Sequence, residues 1–547
     1  MDGEMQSGLM QDWPLTVDRV LTHAAWVHGT REVVTRRTDG TIARTDYVTL
    51  HDRARRVTAA LQRLGIVSGD RVATLAWNSE RHLECWYGAM GMGAVLHTLN
   101  PRLHPDQLAW IARDAGGRVL VLDTSFVALV EQIRDRLPFE RYVIISDGAA
   151  MPANTFDALC YEDWIAPEPG EVAWGGFPET AACGLCYTSG TTGNPKGVLY
   201  SHRSNVLHAM LAMARGTLGI GHDDVVLPIV PMYHANAWGL AFAAPAAGAK
   251  LVMPGAQLDG ASLYELLDRE RVTFSAAVPT VWLGLLQHLR DHGLALPHLR
   301  RVVIGGAALP EAILQVFHHD YGVEVIQGWG MTETSPLATT GGVPWDLAEA
   351  PVEQQLACRL KQGRPPFGVE LKLVDDGHRE LPWDGVTPGR LLVRGFAVAA
   401  GYFNGAGGDV LDEQGFFDTG DVATIDPRAT VQITDRAKDV IKSGGEWISS
   451  IDLENAALLH PGVANAAAIG VPHPKWDERP VLVVERRPGS KVCADELRDL
   501  LAGKVARWWM PDDYVFVAEI PLGATGKINK VALRETIRAR LATTEDR

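Results

Sequence analysis

The chain has 547 residues and a formal net charge of −15, so it is too long for one hydrophobic core and lacks the basic excess of a nucleic-acid-binding protein. Apolar residues make up 46% and charged residues 21%, which is typical of a soluble globular enzyme with two or more domains. Because the overall charge is negative, an anionic substrate must be met by local positive charge.

Neither a targeting segment nor a membrane span is predicted. The first residues are acidic and no apolar segment follows a basic one, which argues against a secretory signal. The richest apolar stretch, 239–253, is interrupted by Pro245 and Lys250. Six cysteines spread over this length do not indicate a disulfide framework, so a reducing cytoplasm is expected. Cys183 and Cys186 have redox-motif spacing, but small buried residues in a strand are the favoured interpretation.

Residues 1 to about 180 alternate between helical and strand patterns. Val57, Leu61 and Leu64 recur at helical spacing, and buried strands are predicted at 71–77, 118–122 and 142–146. Strands that alternate with helices predict a parallel sheet covered on both faces, which is an α/β fold.

A loop rich in glycine and hydroxyl residues follows the apolar run 181–186. Glycine has no Cβ, so backbone N–H groups in such a loop can close on a phosphate, and Lys196 adds a positive charge. The order of residues does not fit the Walker pattern, and a solvated surface turn is the alternative. The density of such residues favours a nucleotide-phosphate loop. Its candidate residues are Thr188, Ser189, Gly190, Thr191, Thr192, Gly193 and Lys196.

This loop resembles the signature loop of the adenylate-forming superfamily, and the other motifs of that family follow in the expected order along nearly the whole chain. The likeness is strongest to bacterial medium- and long-chain fatty acyl-CoA synthetases and methylmercaptopropionyl-CoA ligases. It implies ATP, Mg²⁺ and CoA, a homodimer, and a large N-terminal domain of parallel α/β subdomains plus a small β subdomain. It also implies a small mobile α+β C-terminal domain, with residues 1–434 and 439–547 joined by a hinge at 435–438.

The segment 228–238 contains a histidine between prolines and aromatic residues. Taken alone, His234 is better explained as a core histidine whose ring nitrogen is satisfied. The resemblance instead places His234 beside the acyl phosphate and makes Trp238 the gate of a fatty-acyl tunnel. A flat ring with a polar edge suits a hinged lid between an apolar tunnel and a wet phosphate site.

Two further strands, 301–304 and 323–326, each end in a glycine-rich stretch. Ligands in open parallel sheets gather at the carboxyl ends of strands. Small residues at Gly305 and Gly306 permit close approach of a flat base, while Gln327 offers amide hydrogen bonds and Trp329 offers stacking. Gly328, between Gln327 and Trp329, is also a candidate nucleotide-binding residue. The sequence therefore predicts a nucleotide-base site at these strand ends.

Glu333 is the natural magnesium ligand, since Mg²⁺ takes one or two hard oxygens from protein and the rest from phosphates and water. The alternative is a carboxylate at the start of a helix. The resemblance assigns phosphate contact to Thr332 and makes Thr188 a second magnesium or phosphate ligand.

From about residue 363, short strands punctuated by glycine predict a small β subdomain, with strands at 369–374, 390–394 and 431–434. Asp421 lies between the last two, in a Thr-Gly-Asp tripeptide that alone is a common turn. The resemblance makes it the acceptor of both ribose hydroxyls. Residues 426–430 depart from the Asp-Gly turn of the family, which is expected to alter a surface hairpin only.

The highly charged segment 435–439 is typical of a solvated linker, and the resemblance makes it the hinge. Arg436 is then expected to reach the ribose and Lys438 to act as the pivot. The resemblance also implies that a further loop serves the adenylate and the pantetheine channel. Its residues are Lys442 and Trp447, which contact the adenylate, and Gly444 and Gly445, which line the channel.

In the last hundred residues, helices are predicted at 450–459, 495–506 and 530–541, and strands at 466–470 and 481–484. Lys527 stands on a glycine loop, where most lysines are surface residues. The family places its catalytic lysine here.

The motif order predicts a ligase that joins a fatty carboxylate to CoA through an acyl-adenylate. Catalytic residues are then Lys527, Glu333, His234 and Thr188. The alternatives are a ligase for another carboxylate, such as methylmercaptopropionate or an aryl acid, a phosphotransferase, and a non-catalytic binder. The binder is disfavoured, since it would not need Glu333, Asp421, Arg436 and Lys527 together.

Overall fold

The computed structural model describes residues 8–188, 194–443, 446–523 and 527–545 and has the predicted α/β architecture. The strands in chain order are β1 Glu32–Arg36, β2 Ile42–Asp46, β3 Arg71–Leu75, β4 Val95–Thr98, β5 Val119–Asp123, β6 Arg141–Ile145, β7 Leu159–Cys160, β8 Ala182–Tyr187, β9 Gly197–Ser201, β10 Val225–Pro228, β11 Lys250–Met253, β12 Phe274–Ala277, β13 Arg301–Gly305, β14 Glu324–Gly330, β15 Leu337–Thr340, β16 Val369–Val374, β17 Gly389–Gly395, β18 Phe417–Ile425, β19 Val431–Arg436, β20 Ile441–Ser443, β21 Glu446–Ile448, β22 Val463–His473, β23 Asp477–Arg486 and β24 Asp513–Val517. The helices are α1 Asp18–Val27, α2 Tyr47–Arg63, α3 Glu80–Gly91, α4 Pro105–Ala115, α5 Val127–Ile133, α6 Tyr161–Ile165, α7 His202–Met213, the single turn α8 Ala235–Trp238, α9 Leu240–Ala247, α10 Gly260–Arg269, α11 Pro279–His292, α12 Glu311–His319, α13 Val352–Arg359, α14 Ser450–Leu458, α15 Ala494–Leu501 and α16 Lys530–Glu545.

The first parallel sheet has the order β7-β6-β5-β3-β4-β8-β9, and β9 is its antiparallel edge. The predicted strands 71–77, 118–122 and 142–146 correspond to β3, β5 and β6 within two residues at each end. Their side chains are buried almost throughout, as expected for parallel strands covered by helices on both faces.

The second sheet has the order β15-β14-β13-β12-β10-β11-β1-β2, and its central strands run parallel. It shares one large apolar core with the first sheet, built around the fully buried Trp86, Tyr87 and Phe242. The carboxyl ends of β13 and β14 carry the glycine-rich stretches that the sequence singled out.

The third sheet is antiparallel, in the order β16-β17-β18-β19. The sequence predicted its strands at 369–374, 390–394 and 431–434 but not β18, because polar residues and a glycine interrupt the apolar pattern of β18 at 418–421. In the structure Asp421 therefore lies within a strand, directly opposite Arg436 of β19.

The C-terminal part forms a small separate domain, in which β20–β24 make one sheet and α14–α16 pack around it. Helices α14 and α16 start at the predicted Ser450 and Lys530. The predicted helix 495–506 is shorter, because α15 ends at Leu501 and Gly503 takes a left-handed conformation with φ +87°. Within the ranges that the structure describes, no helix has the length and apolarity needed to cross a lipid bilayer.

A buried ionic cluster ties α2, α3 and α6 together. The Arg53 guanidinium lies 2.7 Å from Glu84 and 2.8 Å from Glu162, and the Tyr161 hydroxyl donates to Glu84 at 2.6 Å. Burial raises the pKa of Glu84 to about 7, against the opposing effect of Arg53. The Arg53 guanidinium therefore favours the ionised form of Glu84 in the protein interior.

Replacing Arg53 with Met should lower the free energy of unfolding by about 3–5 kcal/mol, because it leaves Glu84 buried without its ion-pair partner, so that the carboxyl must either stay charged without compensation or take up a proton. The matched control is Arg269→Met, which removes an exposed i,i+4 pair with Glu265 and should cost less than about 1 kcal/mol. Urea unfolding at neutral pH measures both values. Equal losses in the two variants would contradict the assignment.

Candidate active site

The ends of the predicted phosphate loop meet at the edge of the first sheet. Strands β8 and β9 pair antiparallel, with Tyr187 opposite Gly197. The Thr188 backbone N–H donates to the Lys196 carbonyl at 2.9 Å, and the Lys196 N–H donates to Thr188 Oγ1 at 3.4 Å. Thr188 and Lys196 thus begin and end one closed loop. The loop candidates Ser189, Gly190, Thr191, Thr192 and Gly193 lie outside the described residues.

Tyr402 joins this loop to the predicted magnesium ligand. Its hydroxyl donates to Glu333 Oε1 at 2.6 Å, and the Lys196 ammonium lies 4.8 Å from the centre of its ring. Burial and the Glu333 charge raise the pKa of Tyr402, so the hydroxyl remains a donor. Sequence reasoning missed Tyr402, and a tyrosine hydroxyl in a loop made mostly of glycine and apolar residues was the signal available.

Glu333 lies buried in the 3-10 turn Thr332–Thr334, just beyond β14. The turn is held by the Tyr200 hydroxyl, which donates to the Thr332 carbonyl at 2.7 Å, and by the Ala399 N–H, which donates to the Glu333 carbonyl at 2.7 Å. Among the residues that the structure describes, no three His, Cys, Asp or Glu side chains cluster as a ready-made metal cage. A single fixed carboxylate fits Mg²⁺, which completes its ligand shell with phosphates and water.

Asp421, Trp329 and Arg436 form one buried group. Asp421 is 2% exposed, accepts from the Trp329 indole N–H at 3.0 Å and lies 2.8 Å from Arg436 Nε. Burial raises the pKa of Asp421, and the Arg436 charge opposes this. An ionised carboxylate has further acceptor positions, so these two contacts leave capacity for ligand hydroxyls.

The carboxyl ends of β13 and β14 expose glycine backbone, and within the described residues they leave the Gln327 side-chain oxygen without a donor. A Cβ placed on Gly305 would lie 2.7 Å from the Gly328 carbonyl oxygen and 3.1 Å from the Trp238 ring, so only glycine fits there. Gly306 adopts a left-handed φ of +79°. The buried Gln327 Oε1 has no hydrogen-bond partner in the described part of the chain. It is therefore available to a donor such as the amino group of a nucleotide base.

Lys527 of the C-terminal domain reaches this same place. Its Cε lies 3.6 Å from the Cβ position of Gly306, and the Gly523 N–H donates to its carbonyl at 2.6 Å. Burial and the Arg436 charge lower the pKa of Lys527 to about 8, against the opposing effects of Asp421 and Glu333. The tail lysine thus faces the carboxylates that the sequence assigned to ribose and metal.

His234 lies close enough to Lys527 for the lysine charge to act on its imidazole. Burial, with a smaller effect of the Lys527 charge, lowers the pKa of His234 to about 4. The imidazole is therefore neutral at physiological pH and can serve as a hydrogen-bond donor or acceptor but not as a cation.

The remaining candidates after the hinge residue Arg436 have few contacts that the structure describes. Lys442 pairs with Trp447 in the ribbon β20–β21, and its exposed side chain makes no hydrogen bond within the described residues. Gly444 and Gly445 lie outside the described residues. Burial lowers the pKa of Lys438, the predicted pivot, which is half-buried. In this conformation Lys527, rather than Lys442, supplies positive charge to the cluster.

Trp238 closes the side of this cleft and sits on an unusual turn. Residues 235–238 have φ values of 44°, 57°, 51° and 53°, and Gly239 follows at 76°. A left-handed turn of this kind costs about 1–2 kcal/mol for each residue other than glycine, and asparagine tolerates it best. The turn is therefore strained at Ala235, Ala237 and Trp238.

The two cysteines with redox spacing are both buried free thiols. Burial raises the pKa of Cys183 to about 12 and also raises that of Cys186. A reactive cysteine needs a lowered pKa and exposure, so the structure favours the packing interpretation.

Comparison with known proteins identifies the family to which the chain belongs. The AMP-binding enzyme family matches residues 21–403, and the AMP-binding enzyme C-terminal domain matches residues 452–527. The chain is 47% identical to a 3-methylmercaptopropionyl-CoA ligase of Ruegeria lacuscaerulensis, over 96% of this chain and 98% of that protein. It is 46% identical to a long-chain-fatty-acid–CoA ligase of Thermus thermophilus, over 98% of both chains.

A solved structure of the anthranilate CoA ligase AuaEII in complex with anthranoyl-AMP superposes with a TM-score of 0.85 at 27% identity, covering 96% of this chain and 99% of that one. The family match spans more than half of the chain, and both domains are matched in order. The chain belongs to the AMP-binding enzyme family, the adenylate-forming enzymes that its motifs resemble.

Proposed function

We propose that the protein is an ATP-dependent, AMP-forming acyl-CoA ligase that activates a medium- or long-chain fatty carboxylate. The observation that carries this proposal is the position of Lys527, beside Gly306 and within the field of Asp421, Arg436 and Glu333. A cation brought from a separate domain to a nucleotide-type cleft suits stabilisation of a charged phosphoryl transition state.

In the first step, a carboxylate oxygen attacks the α-phosphorus of ATP and the bond to pyrophosphate breaks, giving an acyl-adenylate. Lys527 and Lys196 are placed to hold charge on the phosphate oxygens. Asp421 accepts the ribose hydroxyls, and Gln327 accepts the base amino group. Glu333, oriented by Tyr402, would hold Mg²⁺, which when bound neutralises phosphate charge. Catalysis is then mainly positioning and electrostatic stabilisation.

In the second step, the CoA thiol attacks the acyl carbon and AMP leaves. We propose the division into 1–434, 435–438 and 439–547 for this step, with rotation about Lys438 that withdraws Lys527 and presents Gly444 and Gly445. The exposure of Lys442, which pairs with Trp447 in the ribbon β20–β21, leaves this side chain available for such a second face of the domain. On the resemblance alone, we extend the proposal to a cytoplasmic homodimer.

A carboxylate panel tests the proposal. The purified chain is incubated with ATP and acids from propionate to palmitate, with 3-methylmercaptopropionate and with aryl acids, with and without CoA, and AMP is measured. The identity to a 3-methylmercaptopropionyl-CoA ligase makes that acid the second candidate substrate. Release of ADP would indicate a phosphotransferase. ATP turnover without any carboxylic acid would contradict the proposal.

Lys527→Ala should lower the rate of adenylation about a hundredfold or more, equal to about 3 kcal/mol, because it removes a preorganised charge. Thioester formation from supplied acyl-adenylate should be spared. Pyrophosphate release and acyl-CoA formation measure the two half-reactions separately. The exposed Lys491→Ala variant of the same domain is the control. Equal loss of both half-reactions would count against this division of labour.

The pH dependence should follow the charge of Lys527. Its pKa of about 8 means that the free enzyme loses this cation as the pH rises through that value. We therefore expect kcat/KM for ATP to fall above about pH 8, since this parameter reports the free enzyme. In Lys527→Arg the guanidinium stays protonated, so the decline should disappear even if the maximal rate is lower. An unchanged decline in that variant would assign it to another group.

Tyr402→Phe removes the hydroxyl that holds Glu333. A hydrogen bond to a charged group is worth about 1.5–3 kcal/mol, so kcat/KM for ATP should fall about ten- to a hundredfold. Binding of Mn²⁺ in the presence of a non-hydrolysable ATP analogue, followed by electron paramagnetic resonance, should weaken as well. The control is Tyr321→Phe, at a half-buried tyrosine after α12. Unchanged Mn²⁺ binding in Tyr402→Phe would remove Tyr402 from this role.

A further inference from the structure

A continuous chain of buried polar contacts runs beneath the strained turn 235–239. Cys186 Sγ lies 3.1 Å from Thr98 Oγ1 and 3.8 Å from Asn236 Oδ1. The Asn236 amide donates to Asn205 Oδ1 at 3.3 Å, and the Asn205 amide donates to Cys183 Sγ at 3.2 Å. The two cysteines thus lie towards opposite ends of this chain of contacts: Cys183 contacts Asn205, and Cys186 contacts Asn236 in the turn.

These contacts account for the polar side chains beneath the turn. Asn205 and Asn236 are both almost fully buried, and an unpaired amide there would carry the full cost of desolvation. Each amide instead uses its oxygen and its nitrogen within the chain of contacts. Only Asn236 belongs to the turn itself, so it is the link between the turn and strand β8.

The far end of the turn is fixed by close packing. A Cβ on Gly239 would lie 2.5 Å from His208 Nδ1, so only glycine fits against this ring. The ring is held in turn by the Leu337 N–H, which donates to His208 Nε2 at 3.1 Å. The turn is thus restrained at Asn236 by hydrogen bonds and at Gly239 by contact.

The residue between these two restraints is Trp238. Its ring lies 3.1 Å from the Cβ position of Gly305 and 3.8 Å from that of Gly306, where Lys527 Cε also approaches within 3.6 Å. The indole therefore forms one wall of the cleft beside Gly305 and Gly306, and Lys527 also approaches the second of these glycines. Since the backbone of the turn is strained, this placement depends on the restraints rather than on local preference.

We propose that Asn236, anchored through Asn205 and the two thiols, is the positioning residue that holds the Trp238 ring against Gly305 and so sets which carboxylates the enzyme selects. This inference rests on the proposed ligase function. Without the amide, the turn relaxes toward right-handed conformations and carries the indole away from the glycines. The enzyme then keeps its nucleotide site but loses one wall of its acyl entrance.

The test compares Asn236→Ala, Asn205→Ala and Cys183→Ala with Ala237→Gly. The control keeps the hydrogen bonds of Asn236 and puts glycine at a left-handed position that glycine adopts freely, and it removes only the buried Ala237 methyl group. For each variant, kcat/KM is measured along a series of fatty acids and KM is measured for ATP. Circular dichroism and thermal unfolding establish the folded fraction.

In Asn236→Ala, the ratio of kcat/KM between the preferred acid and one two methylenes shorter should fall at least about tenfold. The KM for ATP should stay within about twofold, because Asn236 contacts none of Gln327, Glu333 and Asp421, the polar groups assigned to the nucleotide and its metal. Asn205→Ala and Cys183→Ala should give smaller shifts of the same sign, and Cys183→Ser should restore selectivity. Ala237→Gly should keep the native profile. A merely structural role would lower the active fraction without changing this ratio.

An unchanged chain-length ratio in a folded Asn236→Ala variant overturns the inference, as does a KM for ATP that rises in parallel. If Asn236→Ala does not fold, the ratio in Cys183→Ala and its recovery in Cys183→Ser decide the question. These outcomes are separate from failure of the proposed function, in which the unsubstituted enzyme itself would form no AMP with any acid.

Discussion

The position of one lysine from the C-terminal domain against the carboxylates of the N-terminal domain is the interaction on which the site depends. Lys527 lies in the field of Arg436, Asp421 and Glu333, and its lowered pKa shows that burial and the neighbouring guanidinium together outweigh the two carboxylates. In a chain with net charge −15, this local concentration of cations is where the proposed function requires an anionic polyphosphate to bind. The other contacts of the cleft fix Arg436, Asp421 and Glu333 around the Lys527 ammonium.

The cleft is built from three sheets, and each contributes a different kind of group. The first supplies the loop that Thr188 and Lys196 close, and the second supplies glycines and the free acceptor of Gln327. The third supplies Asp421 and, through the loop after β17, the Tyr402 hydroxyl. Asp421 and Gln327 lie on strands, so the geometry of these two acceptors is set before any ligand enters, whereas Lys196 and Lys527 lie outside regular strands and helices.

Sequence reasoning predicted much of this, for identifiable reasons. Buried parallel strands such as β3 and β13 have continuous apolar patterns, and glycine-rich motifs mark the strand ends, so Gly306, Gln327 and Glu333 could be named in advance. Their chemical roles came largely from family resemblance, since Asp421 and Lys527 alone look like turn and surface residues. Strand β18 was missed because a functional carboxylate interrupts its pattern.

Other features could not have been read from sequence. Tyr402 lies 69 residues from Glu333 along the chain, and nothing local pairs them. The run of left-handed residues before Gly239 contradicts the local preference of alanine and tryptophan, so only tertiary contacts could reveal it. The sequence favoured a packing role for Cys183 and Cys186, but their hydrogen bonds to Asn205 and Asn236 became visible only in the structure.

The hairpin between β18 and β19 has a register shift between Val422 and Ala423. On one side of this bulge lie Asp421 and Arg436, and on the other lies the turn 426–430, which departs from the family pattern. A shift of one residue in the pairing of two strands reverses the face to which each side chain points. The bulge therefore lets the end of the hairpin that carries Asp421 and Arg436 pair in one register and the end next to the turn pair in another. The tip of this hairpin therefore offers a place to graft an epitope or fluorophore without changing the pairing of Asp421 with Arg436.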